Sequence, residues 1–350
     1  MQQNPFVSII IIAEKWNSFL EEALPKYRDL NYSNFEILLF LTEDQKRLGA
    51  KFGSEPNLHC YINPELKNNP PQKRDLAIKY AKGDIYAFID DDAFPSPNWL
   101  TYSVKNFSDP LVVAVGGPGL TPENASILEK SSGWVSASPL GGFGSTYRFS
   151  PSKKRFVDDY PSFNLLVRKE SFVKVGGFDS NYYPGEDTKL CLELTKDGIH
   201  KIIYDPKAVV YHHKRPLFKK HLIQNGRYGL HRGHFARILP ATSRRWYYFI
   251  PSLFFLYFCL LLIVGLNFKF EILNFKSISN SLIFKFLIQT PLILYIVLLI
   301  VNAGWVFSKC RNIQISLLTI PGVFLTHFWY GVQFLRGYFM RNMEDNYGRV

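Results

Sequence analysis

Apolar and polar residues alternate along the first 215 residues in a pattern typical of an α/β protein. Short apolar runs rich in β-branched and aromatic residues predict strands at 7–12, 35–41, 58–62 and 111–115, and another in the run that begins at Ile85. The stretches between them predict helices at 17–27, 70–82 and 97–107. This alternation favours a mostly parallel sheet with helices on both faces, which binds ligands at the carboxyl ends of its strands.

The pattern changes near Trp246, where three long hydrophobic segments begin, at 246–266, 282–306 and 313–335. Each can cross a bilayer as a helix of about 20 residues. The N-terminal residues show no charged leader followed by an apolar stretch, so we predict no signal peptide. We therefore expect an α/β domain over 1–215, a basic amphipathic interfacial segment over 216–245, and a transmembrane region with three helices over 246–350.

Positive charge is concentrated just before the hydrophobic segments. The 350 residues have a net charge of +12, and ten Lys or Arg residues but no Asp or Glu lie between Lys207 and Arg245. Such a stretch suits either nucleic acid or an anionic membrane surface. The adjoining apolar segments favour membrane lipids, and no nucleic-acid module accompanies the charge. Because basic flanks mark the cytoplasmic side, we predict an integral membrane protein with a cytoplasmic α/β domain and no nucleic-acid partner.

The most informative feature is the apolar run from Ile85, which ends in three carboxylates, Asp90, Asp91 and Asp92. Three adjacent negative charges repel one another unless they are well solvated or face a cation. Asp90 and Asp92 together suit a hard divalent ion such as Mg²⁺ or Mn²⁺, which often shares its ligands with substrate phosphates. The alternative is a polar turn in which Asp92 caps the helix that begins near Pro97.

A second group of residues with chemical potential runs from Gly176 to Asp187. Paired glycines precede Phe178, and Glu186 and Asp187 fall at a predicted helix N-terminus, whose partial positive charge stabilises carboxylates. Simple capping is one interpretation, and a catalytic carboxylate is the other. A metal-binding acidic cluster and a separate general base are together what sugar transfer from a nucleotide sugar requires.

Seven motifs occur in an order and spacing that resemble the inverting glycosyltransferases of family 2. The resemblance covers residues 6 to 215 and rests on 7–11, 35–39, 73–77, the Asp90–Asp92 triplet, 176–179, 185–187 and 210–212. It implies a GT-A fold, a nucleotide-sugar donor and a divalent cation. It also implies that Asp90 and Asp92 hold the donor diphosphate through the metal, and that Asp187 deprotonates the acceptor hydroxyl.

Further residues match the family pattern with less specificity. His212 resembles a histidine that completes the metal or diphosphate site, although a histidine at a strand end beside a basic surface is the alternative. Arg74 resembles a position near the donor phosphates, and a solvated helix face is the alternative. The usual motifs that read the base and ribose are replaced here by residues 12–16 and 41–44, which leaves Thr42, Glu43 and Asp44 as substitutes.

The acceptor side is indicated by three stretches. Gln224 and Arg227 belong to Gln-Asn-Gly-Arg-Tyr, a loose match to the Gln-x-x-Arg-Trp element of processive polysaccharide synthases. The stretch from Tyr228 to Gly233 and the glycines around Gly117 look more like exopolysaccharide transferases of the succinoglycan-assembly type. The glycine-rich region 116–148 would then form an acceptor loop, and Glu186 is a further acceptor candidate.

These features predict an inverting glycosyltransferase that moves a sugar from a nucleotide-sugar donor to a lipid-linked or glycan acceptor. The alternatives are a processive polysaccharide synthase, which would make long polymer, and a non-catalytic membrane scaffold that retains the fold. The base, the sugar and the acceptor are not specified by the sequence.

Overall fold

The structure is a computed structural model that describes residues 4–43, 57–66, 69–180, 182–270, 282–341 and 343. Its strands are β1 (Val7–Ile12), β2 (Phe35–Leu41), β3 (Leu58–Ile62), β4 (Ile85–Asp90), β5 (Ala93–Pro95), β6 (Val112–Gly116), β7 (Gly119–Leu120), β8 (Arg155–Val157), β9 (Asn164–Arg168), β10 (Lys201–Tyr204) and β11 (Val210–His212). The α-helices are α1 (Ser18–Ala23), α2 (Pro70–Asp75), α3 (Ala77–Tyr80), α4 (Trp99–Lys105), α5 (Ile127–Ala137), α6 (Pro139–Gly142), α7 (Lys169–Lys174), α8 (Glu186–Thr195), α9 (Lys219–Ile238), α10 (Pro240–Ser243), α11 (Trp246–Phe270), α12 (Leu282–Cys310) and α13 (Ile313–Phe339).

The chain divides into two compact units. The first is built on residues 1–123 and 147–213, and the second on 124–146 and 214–342. The first unit therefore contains the strands β1 to β11, while the second contains α5, α6 and the helices from α9 to α13.

The first unit is organised around an eight-stranded sheet of order β3-β2-β1-β4-β9-β6-β10-β8. Strands β3, β2, β1 and β4 are parallel, as the sequence predicts. Strand β9 is antiparallel to both β4 and β6, and β8 is antiparallel to β10, so the sheet is mixed beyond β4. A smaller sheet of order β5-β11-β7 lies in the same unit.

Both faces of the large sheet are buried. Successive residues of β1 enter different hydrophobic clusters: Val7, Ile9 and Ile11 join one, and Ile10 and Ile12 join the other. A strand that is covered on both faces has a continuous run of apolar residues in its sequence. These strands are therefore predictable from the sequence. Each fully buried side chain of this size contributes roughly 1.5–3 kcal/mol.

The predicted helix at 17–27 is shorter than expected. Helix α1 ends at Ala23, and a 3-10 helix follows over Leu24–Asp29. Pro25 stands at the start of this tighter helix, where its lack of a backbone N–H group ends the α-helical hydrogen bonding.

The acceptor loop expected between residues 116 and 148 is not a plain loop, because it contains helix α5. Ser126 accepts a hydrogen bond from the Glu129 amide, and the Glu129 carboxylate accepts one from the Ser126 amide. This reciprocal capping box starts the helix. The Ser-x-x-Glu spacing is therefore the sequence signal that indicates a helix here.

Among the described residues of the second unit, three helices are long and apolar enough to cross a membrane. Their qualifying stretches are Trp246–Ile263, Gln289–Cys310 and Ile313–Phe339, by length and composition. They coincide with the three hydrophobic segments of the sequence, so the prediction of three candidate membrane helices is confirmed.

Helix α9, predicted as a basic interfacial helix, packs against α13 through glycines. A Cβ atom at Gly226 would overlap Trp329, and one at Gly233 would overlap the backbone of Phe334. Small residues let helix backbones approach closely, as in membrane helix pairs. The basic residues Lys219, Lys220 and Arg227 of α9 are exposed.

Gly233→Ala tests the close approach of these two helices. The added methyl group meets the Phe334 backbone, so we expect destabilisation of about 1–3 kcal/mol and a lower thermal midpoint in detergent. Gly304→Ala in α12 is the matched control. Among the described residues no heavy atom lies within 4 Å of the point where its methyl group would be added, and alanine favours helix by up to about 1 kcal/mol. Equal midpoints for the two variants would contradict the glycine contact.

Candidate active site

The carboxylate triplet lies where β4 ends, beside the smaller sheet. Strand β11 pairs with β5 so that His212 lies opposite Ala93, the residue after Asp92. The His213 amide donates a hydrogen bond to the Asp92 carbonyl over 3.0 Å. This antiparallel pairing brings His212 to the carboxyl end of β4, which ends at Asp90, although the two residues are far apart in the chain.

Asp90, Asp92 and His212 form a cluster that can hold a metal ion. One ligand atom from each lies within 4.8 Å of the others. The Asp92 Oδ1 atom is 3.1 Å from the His212 Nε2 atom, and Asp92 is buried. Two carboxylates and an imidazole suit Mn²⁺ or Mg²⁺, and a cation would neutralise the acidic pair. The side chain of Asp92 therefore faces His212 at the strand end. Helix α4 begins at Trp99 and its N-cap is Asn98, so Asp92 is not the cap of this helix.

Asp91 takes part in a different contact. The Asn17 side chain donates a hydrogen bond from Nδ2 to Asp91 Oδ2 over 2.6 Å. Through its Oδ1 atom the same asparagine accepts hydrogen bonds from the Phe19 and Leu20 amides and so caps α1. Asn17 thus ties the triplet to the first helix, a role that the sequence analysis missed although asparagine before a helix is a recognisable cap.

Arg74 joins the triplet to the second acidic motif. Its Nη2 atom lies 3.0 Å from Asp90 Oδ1, and its Nη1 atom lies 2.8 Å from Glu186 Oε1. Its guanidinium also lies 5.5 Å from the centre of the Phe178 ring, a distance at which cation–π attraction acts. Arg74 is buried, so it does not lie on a solvated helix face.

The charges around Arg74 affect one another. Burial disfavours its charge, but Asp90 and Glu186 outweigh burial and raise the pKa of Arg74 above its ordinary value. Burial, followed by the charge of Asp187, raises the pKa of Glu186, while Arg74 acts in the opposite direction. A buried cation between two acidic groups is thereby kept charged.

Asp75, the neighbour of Arg74, holds the paired-glycine turn. Its carboxylate accepts hydrogen bonds from the Phe178 amide over 2.7 Å and the Asp179 amide over 3.2 Å. Gly177 has a φ of 81°, and a side chain there would overlap the Asp75 carboxylate. Asp75 therefore places Phe178 beside Arg74, which sequence reasoning missed although the Lys-Arg-Asp motif was visible.

Asp187 lies in the first turn of α8, half-buried. Its Oδ1 atom accepts a hydrogen bond from the Thr188 amide over 2.9 Å, and its Oδ2 atom accepts one from the Ser162 amide over 3.3 Å. The N-cap of α8 is Gly185, which has no side-chain capping hydrogen bond, so the capping interpretation holds only in that Asp187 satisfies the Thr188 amide in the first turn. It leaves the catalytic interpretation open, because the adjacent Glu186 is held by the arginine that contacts Asp90.

The ends of β1 and β2 carry a further polar group. Thr42 is buried and donates from Oγ1 to the Glu14 carbonyl over 3.0 Å. The ammonium of Lys73 lies 3.5 Å from the Ala13 carbonyl. Burial lowers the pKa of Lys73, although Glu14 and Asp91 act in the opposite direction. Asp44, predicted at this end, lies outside the described residues.

The predicted acceptor residues do not form one group within a unit. Gly117 is buried in the first unit, where its carbonyl accepts hydrogen bonds from Tyr160 and Asn164, and a Cβ atom would overlap Ala208. Gln224 and Arg227 lie on α9 in the second unit, half-buried and exposed respectively. Glu186 is buried against Arg74. Acceptor binding by these four residues stays a prediction.

The mixed sheet of the first unit, with carboxylates clustered at the end of β4, has a fold of the GT-A type. Residues 8–176, slightly less than half of the chain, match the family Glycosyl transferase family 2. The predictions of the fold and, for this domain, of the glycosyltransferase class are confirmed. The expected likeness to succinoglycan-assembly transferases stays a prediction.

Three relatives of known activity share this region. A pre-mycofactocin glycosyltransferase from Mycobacterium tuberculosis is 28% identical over 49% of this chain, an alignment that spans only 36% of that protein's length. A glucosyl-dolichyl phosphate glucuronosyltransferase from Haloferax volcanii is 23% identical over 59% of this chain and 68% of its own. A dolichyl N-acetyl-glucosaminyl phosphate glycosyltransferase from Methanococcus voltae is 24% identical over 66% of this chain and 74% of its own.

Two solved structures share the fold. A mannosyltransferase from Pyrobaculum calidifontis, in complex with GDP-Man and Mn²⁺, matches with a TM-score of 0.58 at 16% identity. The superposed region covers 91% of this chain and 87% of the mannosyltransferase. GalNAc-T7 with UDP, GalNAc and Mn²⁺ has a TM-score of 0.50 at 14% identity, over 70% of this chain and 52% of its own.

Asp75 gives a pH-dependence test of the glycine turn. Burial raises its pKa from 3.8 to about 6, against the opposing effect of the two amides. The folded protein therefore holds a proton that the unfolded chain loses between these values, so this contribution to stability is present below pH 3.8 and lost as pH rises through about 6.

Asp75→Asn cannot ionise, so the variant should lose less stability than the parent between pH 4 and 6.5, by an amount on the order of 1–3 kcal/mol. Thermal midpoints across this pH range measure the difference, with the exposed Asp29→Asn as control. Parallel pH profiles for Asp75→Asn and the parent would show that Asp75 does not titrate in this range.

Proposed function

We propose that the protein is an inverting glycosyltransferase that moves a sugar from a nucleotide-sugar donor to a lipid-linked or glycan acceptor at the cytoplasmic membrane face. One observation carries the proposal. Arg74 contacts both Asp90 of the metal-binding cluster and Glu186, the residue before Asp187. A donor site and a candidate general base are therefore joined through one buried side chain.

On this proposal, Asp90, Asp92 and His212 hold a divalent cation, Mg²⁺ or Mn²⁺. When bound, the cation would stabilise negative charge on the leaving diphosphate. Their donor set fits such an ion, and both structural neighbours contain Mn²⁺. Arg74 adds a permanent positive charge beside Asp90, while Thr42 and Asp91, with Asp44, remain the candidates for nucleotide binding.

Asp187 acts as the general base. It takes the proton of the acceptor hydroxyl while that oxygen bonds to the anomeric carbon, and the bond from this carbon to the diphosphate breaks with its electron pair. A single displacement of this kind inverts the anomeric configuration. The hydrogen bonds from the Thr188 and Ser162 amides fix the position of the carboxylate.

Glu186 fits a positioning role better than an acceptor contact. It is buried, and its Oε1 atom is occupied by Arg74, so it holds the guanidinium in place beside Asp90. Gln224 and Arg227 keep their candidacy for the acceptor because both are accessible on α9.

The acceptor class is supported by two relatives and by composition. The Haloferax and Methanococcus proteins are described as acting on dolichyl-phosphate-linked sugars. The chain itself has three helices suited to a membrane and a basic stretch before them. A lipid-linked acceptor would be delivered to the enzyme by the bilayer, and the basic stretch favours the cytoplasmic face.

Asp187→Asn tests the base. An amide cannot accept the proton, so we expect turnover to fall by about 10²–10⁴-fold while donor binding is retained. The measurements are sugar transfer under conditions where chemistry limits the rate, and a thermal shift with nucleotide diphosphates and Mn²⁺. Asp197→Asn, outside the site, is the control.

Normal turnover of Asp187→Asn would refute this assignment. Product length in the same assay separates single addition from the processive alternative, which would make long polymer. A parent protein that neither hydrolyses donor nor shifts with any nucleotide diphosphate would instead favour the scaffold alternative.

Asp92→Ala tests the cation site. Losing one of three candidate ligands should weaken Mn²⁺-dependent donor binding by about tenfold or more. The measurement is the thermal shift produced by nucleotide sugars, with Mn²⁺ and after chelation, in the variant, the parent and the exposed-site control Asp29→Ala. If the thermal shift of the parent protein persists after chelation and has the same size in Asp92→Ala, donor binding needs no cation at this cluster.

A further inference from the structure

The single turn of helix α6, with Phe143 after it, is held by two candidate membrane helices of the second unit; we call residues 139–143 the turn. The Leu140 amide donates a hydrogen bond to Asn302 Oδ1 over 3.1 Å, and His327 Nε2 donates one to the Leu140 carbonyl over 3.1 Å. Because a carbonyl only accepts, the His327 hydrogen is on Nε2, and its Nδ1 atom accepts from the Tyr295 hydroxyl over 3.0 Å. Polar side chains within membrane helices are costly and usually mark function.

The turn lies close against the preceding helix. Side chains at Gly141 and Gly142 would overlap the Val135 and Ser136 carbonyls of α5, so the turn packs directly on that helix. Phe143, the next residue, has a φ of 42°, which is unfavourable for a residue with a side chain. Such conformations persist where surrounding contacts enforce them, and they concentrate at ligand-binding sites.

The strained residue presents an exposed aromatic ring. Phe143 is 50% exposed, and its ring centre lies 6.2 Å from that of Trp246 and 6.4 Å from that of Tyr247. Trp246 is itself 71% exposed at the start of α11, the first candidate membrane helix. We call Phe143, Trp246 and Tyr247, together with Arg245, the aromatic seat.

Arg245 gives the aromatic seat a cationic edge. Its Nη1 atom donates to the Tyr247 hydroxyl over 3.2 Å, and the exposed Arg244 precedes it. The stretch from Lys207 to Arg245 contains no Asp or Glu, so the local charge favours an anion. The seat thus offers apolar rings beside a guanidinium, which matches an amphiphile that has a phosphate next to a hydrocarbon chain.

We propose that the aromatic seat binds the lipid carrier of the acceptor where its phosphate joins its hydrocarbon chain. Phe143 and Trp246 contact the chain, and Arg245 contacts the phosphate. The inference rests on the proposed function for the identity of the acceptor. Ordinary interfacial anchoring would need only aromatic residues on the helix, whereas here a strained turn is held by Asn302 and His327 to place one ring.

Photolabelling of the full-length protein tests the seat. The probe is farnesyl phosphate with a diazirine on its first isoprene unit, applied to protein in phosphatidylcholine nanodiscs. We expect saturable labelling of residues 139–148 or 246–248, which unlabelled farnesyl phosphate displaces. Farnesol and phosphatidylglycerol should compete at least about tenfold less well. Farnesol lacks the phosphate, and in phosphatidylglycerol an esterified glycerol separates the phosphate from the hydrocarbon chains.

Two variants with matched controls locate the contact. Phe143→Gly removes the ring while glycine adopts the same φ without strain, so the turn is preserved. Arg245→Gln removes the charge. Each should reduce labelling about fivefold or more, whereas Phe156→Ala, an equally exposed ring in the first unit, and Lys309→Gln, an exposed cation at the end of α12, should not.

Four results would overturn the proposal. Labelling unchanged in Phe143→Gly would exclude the ring. Equal competition by phosphatidylglycerol would indicate a general anionic-lipid surface, and equal competition by farnesol an apolar patch. The thermal shift with nucleotide diphosphates and Mn²⁺ is measured in parallel. If the parent protein shows no such thermal shift, the result counts against the proposed function alone. If the thermal shift is present but the probe does not label the protein, the result counts against the aromatic seat alone.

Discussion

The buried guanidinium of Arg74 is the interaction on which the candidate site depends. It contacts Asp90, at the end of β4, and Glu186, at the start of α8, which are 16 and 112 residues away in the chain. Burying one cation with two acidic groups is costly unless the geometry is good and hydrogen bonds are satisfied. Here the neighbouring Asp75 fixes the glycine turn that carries Phe178, and this ring packs beside the guanidinium. One dipeptide of α2 thereby connects two acidic motifs.

In the second unit, close backbone packing and a few polar contacts act beside a buried apolar cluster of Val135, Leu217, Leu299 and Val323. Glycines of α9 allow contact with α13, and Asn302 and His327 satisfy both backbone groups of Leu140. In an apolar environment these hydrogen bonds have no competition from water, so they fix the turn that presents Phe143.

Parts of the site were predictable because their signals are local. The three carboxylates after an apolar run indicated a metal site at a strand end, and the acidic pair after glycine indicated a helix N-terminus. The partners were less predictable. The pairing of Asp91 with Asn17 and the placement of Lys73 beside Ala13 depend on which strands are neighbours, and a sequence pattern does not specify that order. Helix α5 was not predicted, because the glycines of this region suggest a loop more strongly than the Ser126 and Glu129 capping box suggests a helix.

The sequence by itself determined the strands buried on both faces, the three candidate membrane helices and the positions of the acidic motifs, since these follow from hydrophobic periodicity and charge within a few residues. Only the tertiary structure decided that strand β9 would run antiparallel between β4 and β6, and that the pairing of β5 with β11 would bring His212, already expected at the metal site from the family resemblance, to Asp92. The physical reason is that strand order and cross-strand register are set by packing over the whole sheet. The same packing brought Arg74 between Asp90 and Glu186, which keep the buried guanidinium charged.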